Sequence, residues 1–431
     1  MIKYSQSYIN KNYKPASKDL VVAYKVTPGK NVDFSNAAAG LAAESSIGTW
    51  TKISTMNKRI ASKLKPSVFY LNKKTGTVKI AYHQDLFEQG NMSQILSSIA
   101  GNVYGLKEIS KLRLLDITFP KDIVKSFPGP KFGIDGVRKI TKIKKRPLIG
   151  TIVKPKLGLT AKQHSQVAYD AWIGGLDVVK DDENLSSMSF NKFKERMRLT
   201  LKACSKAEKE TGEVKVYMPN ITAETFEMVK RADYVKSLGG KYMMIDVLTT
   251  GFAAVHSMRR MNDDLKLVIH GHRAMHGALT RQDDSGMTML SLAKIFRLLG
   301  VDQLHIGTAG IGKMHGKKDE ELAIEDEIED DYISETKYSL KQNWYNKKPT
   351  LAVASGGLHP GMIPAVMNAM GNDIVIQFGG GVHWHPKGTK YGAMAARQAL
   401  EATMKGIKLE QYAKDYKELK EAIDKFGVRY K

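Results

Sequence analysis

Short apolar runs, each followed by a polar or glycine-rich turn, recur along the chain from about residue 147. Stretches with helical periodicity lie between them, for example at 190–210 and 392–407. Eight strands alternating with helices over roughly 280 residues predict an α/β fold, a (β/α)8 TIM barrel. Alternation alone would also suit a doubly wound sheet, but the count of eight and the positions of the polar residues favour the barrel. The apolar runs occupy 147–155, 176–182, 214–221, 242–248, 265–273, 302–307, 350–357 and 373–381.

The first part of the chain has a different pattern, which predicts a smaller α+β amino-terminal domain. We expect this domain to span residues 1–130 and the barrel domain to span 131–431. The proline and glycine density of 127–136 is typical of a linker. The predicted elements of the amino-terminal domain are strands at 19–29, 67–87 and 111–120 and a helix at 91–102.

Composition narrows the class of protein. A single cysteine, Cys204, excludes an intrachain disulfide framework and a cysteine-based zinc cluster. No run of about 18 apolar residues occurs, and the first residues lack a signal-like apolar segment, so we expect a soluble cytoplasmic protein without a membrane partner.

The net charge of +23 favours anionic partners, either nucleic acid or a phosphorylated substrate. Lysines are spread along the chain, with one local concentration at 137–147. A solvated lysine-rich surface explains the charge equally simply. No zinc-finger, RRM or basic-zipper pattern accompanies the lysines, which disfavours nucleic acid as a partner.

Polar residues collect at one end of the predicted strands. Barrel enzymes carry their catalytic groups at the carboxyl ends of the strands, so this clustering predicts an active site there. Unrelated buried polar residues would scatter along the strands. The residues are Lys154 and Lys156; Lys180, Asp182 and Glu183; His270, His272 and Arg273; His305; Ser355, Gly356 and Gly357; and Gly379, Gly380 and Gly381.

Glycine-rich turns follow the seventh and eighth strands, where barrels commonly bind phosphate through backbone N–H groups. Tight turns alone would also explain these glycines. The segment 307–318 after the sixth strand has glycines on both sides of Lys313, a pattern typical of a mobile lid.

Lys180 ends an apolar strand directly beside three carboxylates, Asp181, Asp182 and Glu183. A salt-bridge cluster is one interpretation. The other is a metal site in which the uncharged amine adds carbon dioxide and becomes a carbamate, an oxygen ligand suited to Mg²⁺. Two phosphate-suited regions on opposite sides of the cluster suggest a bisphosphate spanning the cation. The residues alone leave both interpretations open.

Five segments, "AAESSIGTW", "KPKLG", "GLDVVKDDE", "HGHRAMH" and "ASGG", resemble the large subunit of ribulose-1,5-bisphosphate carboxylase/oxygenase (RuBisCO). The resemblance covers nearly the whole chain, although Val178 stands where that family usually has phenylalanine. It implies a Mg²⁺ site formed by Lys180 as a carbamate, Asp182 and Glu183. Carbon dioxide would then also be the activator.

The resemblance also implies roles for the other candidates. Lys154 would be the acid/base that protonates the product carbanion, His272 would move protons at the substrate hydroxyls, and Lys313 would stabilise the incoming carboxylate. His270 and His276 would shape the site. The substrate-binding residues would be Lys156, Arg273, His305, Ser355, Gly356, Gly357, Gly379 and Gly380 on the barrel and Glu44, Thr49, Trp50 and Asn102 on the amino-terminal domain of the neighbouring subunit.

Because the family builds each site from two subunits, the resemblance implies a homodimer or a multiple of dimers, with no small subunit required. The lid is one residue longer than the plant type, and His315 stands where plant-type enzymes have glutamate. Together with the short chain ends, these features resemble the archaeal-type branch, form III, whose role is usually nucleotide (AMP) salvage. Val382-His383-Trp384 is a further departure without an evident effect. No principal catalytic position is replaced.

The implied activity is Mg²⁺-dependent carboxylation of ribulose-1,5-bisphosphate (RuBP), with O₂ as a side substrate in place of CO₂. Carboxylation would pass through an enediolate and give two molecules of 3-phosphoglycerate. An alternative is a RuBisCO-like enolase or isomerase that acts on a related sugar phosphate and fixes no carbon dioxide. A basic nucleic-acid-binding protein is the non-enzymatic alternative.

Overall fold

The structure, a computed structural model, describes residues 6–48, 53–314 and 316–431. Its strands are β1 (Asp19–Pro28), β2 (Ser67–Asn72), β3 (Thr77–His83), β4 (Ile109–Thr118), β5 (Leu148–Ile152), β6 (Val178–Lys180), β7 (Val216–Met218), β8 (Tyr242–Asp246), β9 (Val268–His272), β10 (Gly286–Met287), β11 (Gln303–Gly307), β12 (Tyr332–Ile333), β13 (Gln342–Asn343), β14 (Leu351–Ser355) and β15 (Ile374–Phe378).

The α-helices alternate with the later strands. They are α1 (Phe34–Glu44), α2 (Lys58–Leu64), α3 (Met92–Ile99), α4 (Lys121–Ser126), α5 (Gly133–Thr141), α6 (Ala161–Ile173), α7 (Phe193–Thr211), α8 (Thr225–Ser237), α9 (Val247–Thr250), α10 (Phe252–Leu265), α11 (His276–Thr280), α12 (Met289–Leu299), α13 (Lys318–Glu329), α14 (Ile363–Met370), α15 (Gly380–His383), α16 (Thr389–Met404), α17 (Leu409–Tyr412) and α18 (Lys417–Phe426). Short 3-10 helices occur at Gln6–Tyr8, Gln84–Leu86, Asn102–Gly105 and Pro360–Met362.

The chain divides into two units, and the first contains Met1–Pro128, Met275–Leu299 and Asp330–Lys347. Its five-stranded sheet has the order β10-β4-β1-β3-β2, in which β10 lies parallel to β4 and the other pairs are antiparallel. An α+β amino-terminal domain is therefore confirmed. The two later segments that join it were not indicated by the sequence, and a domain boundary after residue 130 stays a prediction.

The second unit contains Gly129–Ala274, Gly300–Glu329 and Lys348–Lys431, and it forms the barrel. Its eight parallel strands have the order β7-β6-β5-β15-β14-β11-β9-β8. The barrel closes between β7 and β8, where the Met244 N–H donates to the Pro219 carbonyl at 2.8 Å and the Ile221 N–H donates to the Met244 carbonyl at 3.0 Å. All eight predicted strands form, and the predicted barrel is confirmed.

The predicted helices form with shifted ends. Helix α16 begins after Gly388, which has a φ of 86°, and stops before Gly406, which has a φ of 68°. The prediction had placed this helix at 392–407, three residues too late at both ends. Periodicity locates the buried face of a helix, whereas positive-φ glycines set its limits.

Helix α5 closes the amino-terminal end of the barrel. Its Val137 packs in one cluster with residues at the strand starts, including Leu148, Val178 and Val268. The predicted linker at 127–136 is thus wrong in its second half, because Gly133 already begins a helix that is held by burial. None of the helices in the described ranges combines the length and apolar character needed to span a bilayer.

Candidate active site

Lys180 is the last residue of β6 and is almost completely buried, with 1% of its surface exposed. Its Nζ donates to the Asp181 carbonyl at 2.8 Å and lies 3.8 Å from a Glu183 carboxylate oxygen. Burial lowers the pKa of Lys180 in spite of the carboxylates nearby, chiefly that of Glu183. Only the uncharged amine reacts with carbon dioxide, and a lowered pKa increases the share of that form, so the buried position of Lys180 is compatible with the carbamate interpretation as well as with a salt bridge.

Asp181 belongs to a separate network behind the strand. Its carboxylate lies 3.0 Å from His164 and 3.2 Å from Arg196, and it accepts a 2.5 Å hydrogen bond from Tyr217. It also accepts the backbone N–H of Asn220 at 2.9 Å. Burial opposes ionisation, but these partners lower the pKa of Asp181 to about 2. With these partners, Asp181 stabilises the fold.

Asp182 and Glu183 contact a different set of groups. Asp182 Oδ2 lies 2.6 Å from Lys154 Nζ, and Glu183 Oε2 lies 3.6 Å from His272 Nε2. Across 6–48, 53–314 and 316–431, no three His, Cys, Asp or Glu side chains converge as metal ligands. Two carboxylates alone make an incomplete site for a hard cation, and a carbamate on Lys180 would add the missing oxygen donor.

Three histidines line the neighbouring strand ends. His270 Nδ1 lies 2.9 Å from Gln303 Oε1, and its Nε2 lies 2.9 Å from His305 Nε2. The His305 ring contacts both His270 and His272, with centroids 4.9 and 4.6 Å apart. Burial lowers the pKa of His270 to about 3 and that of His305 well below its usual value. Both rings are therefore neutral, which suits the hydrogen bond between them and their edge-to-face contact.

His272 has Asp246 as a partner that the sequence reasoning missed. His272 Nδ1 accepts the Ala274 N–H at 3.2 Å and lies 3.1 Å from Asp246 Oδ1. The Asp246 carboxylate can stabilise a positive charge on the ring when His272 takes up a proton. Asp246 ends β8, so the strand-end rule applied to that strand would have found it.

Arg273 follows directly after β9. Its Nη1 donates to the Ile306 carbonyl at 2.8 Å, and burial lowers its pKa to about 10, partly offset by Glu321. A half-buried guanidinium is a strong site for a phosphate group. Glu321 was not among the predicted residues.

The lid contacts the turn after β14. The Lys313 N–H donates to the Gly356 carbonyl at 2.9 Å. A Cβ at Gly357 would lie 2.7 Å from the Lys313 Cβ, and Gly356 and Gly357 have φ values of 134° and 74°. Glycines are required here because the lid packs directly against the turn. His315 lies outside the described residues.

Other predicted substrate-binding groups lie on the same barrel face. Ser355 ends β14, and Gly380 begins α15. A Cβ at Gly379 would lie 3.6 Å from Lys154 Cε, so the glycine turn approaches Lys154. Lys156 follows β5 at an exposed position.

The first unit carries the predicted residues of the amino-terminal domain. Glu44 ends α1, and Asn102 begins a 3-10 helix. The Asn102 amide donates to a Glu44 carboxylate oxygen at 3.5 Å, and Asn102 is exposed. The structure brings these two together, while Thr49 and Trp50 lie outside the described residues.

His383, in the segment Val382-His383-Trp384 that had no evident role, braces the strand that leads to Lys154. Its Nε2 lies 2.8 Å from the Ile152 carbonyl and 2.9 Å from Thr151 Oγ1, and its Nδ1 lies 3.0 Å from Thr389 Oγ1. Burial, aided by the charge of Lys154, lowers the pKa of His383 to about 4. The neutral ring can thus donate to β5 and accept from Thr389.

We expect His383→Leu to lower the turnover number of the carboxylation that the sequence resemblance implies by about tenfold, with little change in KM, because the backbone that positions Lys154 loses a hydrogen-bond partner. Steady-state kinetics measure both constants. His385→Leu is the matched control, since His385 is also buried but lies 3.1 Å from the Glu418 carbonyl and away from β5. Partial recovery in His383→Gln is expected. Equal losses of turnover in the two leucine variants would contradict a positioning role.

Both the amino-terminal part of the chain and its barrel match the domains of one known protein family. Residues 7–123 match the ribulose bisphosphate carboxylase large chain N-terminal domain, and residues 133–426 match the large chain catalytic domain. A ribulose bisphosphate carboxylase of Methanocaldococcus jannaschii is 51% identical over 427 residues, covering 97% of this chain and 99% of the relative.

Solved structures give the same result. The dimeric archaeal Rubisco of Hyperthermus butylicus is 43% identical with a TM-score of 0.93, covering 98% of this chain and 99% of that one. The octameric ribulose-1,5-bisphosphate carboxylase/oxygenase of Pyrococcus horikoshii is 42% identical with a TM-score of 0.91, covering 99% and 98%.

Proposed function

Since the chain belongs to the ribulose-bisphosphate carboxylase large-chain family, we propose that it carboxylates RuBP to two molecules of 3-phosphoglycerate. The observation that carries this proposal is the site around Lys180, a buried amine next to Asp182 and Glu183. Side oxygenation by O₂ belongs to the same proposal. A role in nucleotide salvage is supported by the archaeal origin of the relatives.

The residues present fit a Mg²⁺ ion. Lys180 as a carbamate, Asp182 and Glu183 would hold it, and all three donors would be anionic oxygens, the ligands that this cation prefers. When bound, the cation supplies Lewis-acid stabilisation of negative charge on the substrate oxygens.

Side chains of this protein carry out the proton transfers, bind the phosphates and stabilise the new carboxylate. Lys180, as a carbamate, would accept the proton from C3 of RuBP, and His272, supported by Asp246, moves protons at the substrate hydroxyls. Lys154 returns a proton to the product carbanion. Arg273 and the turns at Gly357 and Gly379 hold the two phosphates, and the lid excludes water and carries the charge of Lys313 to the new carboxylate.

The test is a carboxylation assay with ¹⁴C-labelled bicarbonate, run with and without preincubation in CO₂ and Mg²⁺. We expect acid-stable label in 3-phosphoglycerate and a higher initial rate after preincubation. Exchange of the C3 proton without incorporation of label would instead favour a RuBisCO-like enolase. Neither label nor exchange, with retention on DNA at physiological salt, would favour the basic nucleic-acid-binding alternative.

We also propose that the enzyme is a homodimer or a multiple of dimers that needs no small subunit. The proposal rests on Glu44 and the exposed Asn102, which match residues that the family contributes to a neighbouring subunit's site. A C2 dimer contains two such shared sites. Light scattering under assay conditions measures the assembly, and a fully active monomer would refute it.

Mixing two inactive variants tests the shared site directly. Asn102→Ala and Lys180→Arg should each have low activity alone. Random exchange of protomers should restore up to about a quarter of wild-type activity, because half of the dimers are then mixed and each has one intact site. Mixing Lys180→Arg with Asp182→Asn, two changes in the same unit, is the control and should restore nothing. Equal recovery in both mixtures would contradict a shared site.

A further inference from the structure

Glu321 lies in the first turn of α13, directly after the lid, and is buried with 6% of its surface exposed. One oxygen of its carboxylate, Oε2, accepts the backbone N–H groups of both Thr308 and Gly310 at 3.0 Å. These residues form the first stem of the lid. The carboxylate thus ties the start of α13 to the start of the lid.

The other carboxylate oxygen, Oε1, fills space at both ends of the lid. A Cβ at Gly307 would lie 1.9 Å from Oε1, and a Cβ at Gly316 would lie 2.0 Å from it. The two positions must remain glycine because Glu321 occupies the volume of a side chain at each. One buried carboxylate therefore contacts both stems of the segment that carries Lys313.

Glu321 also acts electrostatically on the predicted phosphate-binding residue. Its negative charge favours the charged form of the half-buried Arg273 guanidinium and opposes the effect of desolvation. Arg273 donates to the carbonyl of Ile306, which directly precedes Gly307. The guanidinium and the lid stem are therefore adjacent, and Glu321 interacts with both.

We propose that Glu321 is a positioning residue that couples occupancy of the Arg273 phosphate site to the position of the lid, an inference that rests on the proposed function. Without substrate, the carboxylate balances the guanidinium and anchors both lid stems. A phosphate dianion at Arg273 forms an ion pair with the guanidinium and repels the Glu321 carboxylate. The repulsion acts on the group that holds the lid, so phosphate binding changes the stability of the lid anchor.

Two substitutions separate the hydrogen bonds from the charge. Glu321→Gln keeps an oxygen that can accept both N–H groups, because both bonds end on one atom, but it removes the charge. Glu321→Ala removes both. Glu325→Gln is the matched control, one turn further along α13. Burial, with Glu329 and Asp326 nearby, raises the pKa of Glu325 to about 9, so this carboxyl is protonated near neutral pH and the change conserves its charge.

Calorimetry with inorganic phosphate and trypsin cleavage within 313–318 measure the two effects without requiring carboxylation. Glu321→Gln should bind phosphate about tenfold more tightly, because a repulsive charge is gone, with cleavage near the wild-type rate. In the wild type, phosphate should alter the rate of cleavage. Glu321→Ala should be cleaved on the order of tenfold faster, and phosphate should have no effect on that rate. Glu325→Gln should match the wild type in both measurements.

Unchanged phosphate affinity in Glu321→Gln would overturn the charge coupling, and wild-type cleavage in Glu321→Ala would overturn the anchor. Carboxylation and C3 proton exchange are measured separately on the same variants. A protein that shows the predicted phosphate and cleavage effects but fixes no carbon dioxide would disprove the proposed function and leave the coupling intact. If the protein fixes carbon dioxide but all three variants have the same phosphate affinity and cleavage rate, the coupling would be disproved and the proposed function would stand.

Discussion

Lys180→Arg is expected to abolish Mg²⁺-dependent turnover, lowering it by at least about 10³-fold. Guanidinium stays protonated at any pH used in assays and cannot add carbon dioxide to form a carbamate. The metal site would then lose an oxygen ligand and gain a positive charge. The carboxylation rate after preincubation with CO₂ and Mg²⁺ measures the effect, and full activity in this variant would refute the carbamate.

The control for this variant must distinguish lost chemistry from a disturbed core, since Lys180 is almost completely buried. Lys215 is a suitable match because it is buried in the same unit, and its Nζ donates to the Leu176 carbonyl at 3.1 Å and to Glu213 at 2.8 Å. We expect Lys215→Arg to lose some thermal stability but to retain turnover. Comparable loss of turnover in both variants would indicate that packing, and not the carbamate, is responsible.

Lys313→Ala should separate the first step of the reaction from the second. In the proposed mechanism, removal of the C3 proton depends on groups at the strand ends, whereas stabilisation of the new carboxylate depends on a cation delivered by the lid. Carboxylation should fall by about 10²-fold or more, the scale of losing one well-placed transition-state charge, while exchange of the C3 proton with solvent continues. Tritium release from RuBP and fixation of labelled carbon dioxide measure the two steps.

Lys317→Ala is the control for the lid variant. Lys317 is exposed and lies 3.3 Å from Glu320, four residues beyond Lys313. It should retain both exchange and carboxylation, because its charge is already paired at the surface. If Lys313→Ala also carboxylates near the wild-type rate, the lid lysine has a structural role only.

The barrel strands were predictable because strands buried on both faces are short, continuous apolar runs with polar residues at one end. The match at Lys180 shows the strength of this signal, since both the strand and its final residue were placed correctly. Helix α5 was not predicted as a helix because it is held by residues from many strands, some of which, such as Leu351, are more than 200 residues away along the chain. No local pattern reports such a contact.

Part of the candidate site could also be predicted, because some of its residues lie in local sequence motifs. Lys154, Asp182 and His272 stand in motifs with recognisable spacing, and the structure brings them together. Asp246, Glu321 and the bracing role of His383 depend on distances between strands and loops that are separate in sequence. Lone residues of this kind carry no spacing signal, so they appear only when the elements are assembled.

The Asp181 network has a consequence for how this scaffold can acquire new reactions. Adjacent carboxylates at 181 and 182 serve opposite purposes, the first fixing the backbone through Arg196 and Tyr217, the second left available for chemistry. Loss of Arg196 would strand a buried charge at a cost of about 3–5 kcal/mol. Exchange of residue 182 would instead leave Lys154 without its partner, and because 33% of the Lys154 side chain is exposed, water can solvate that charge at a smaller cost. Natural or laboratory evolution can therefore vary the reactive carboxylate while the adjoining one preserves the fold.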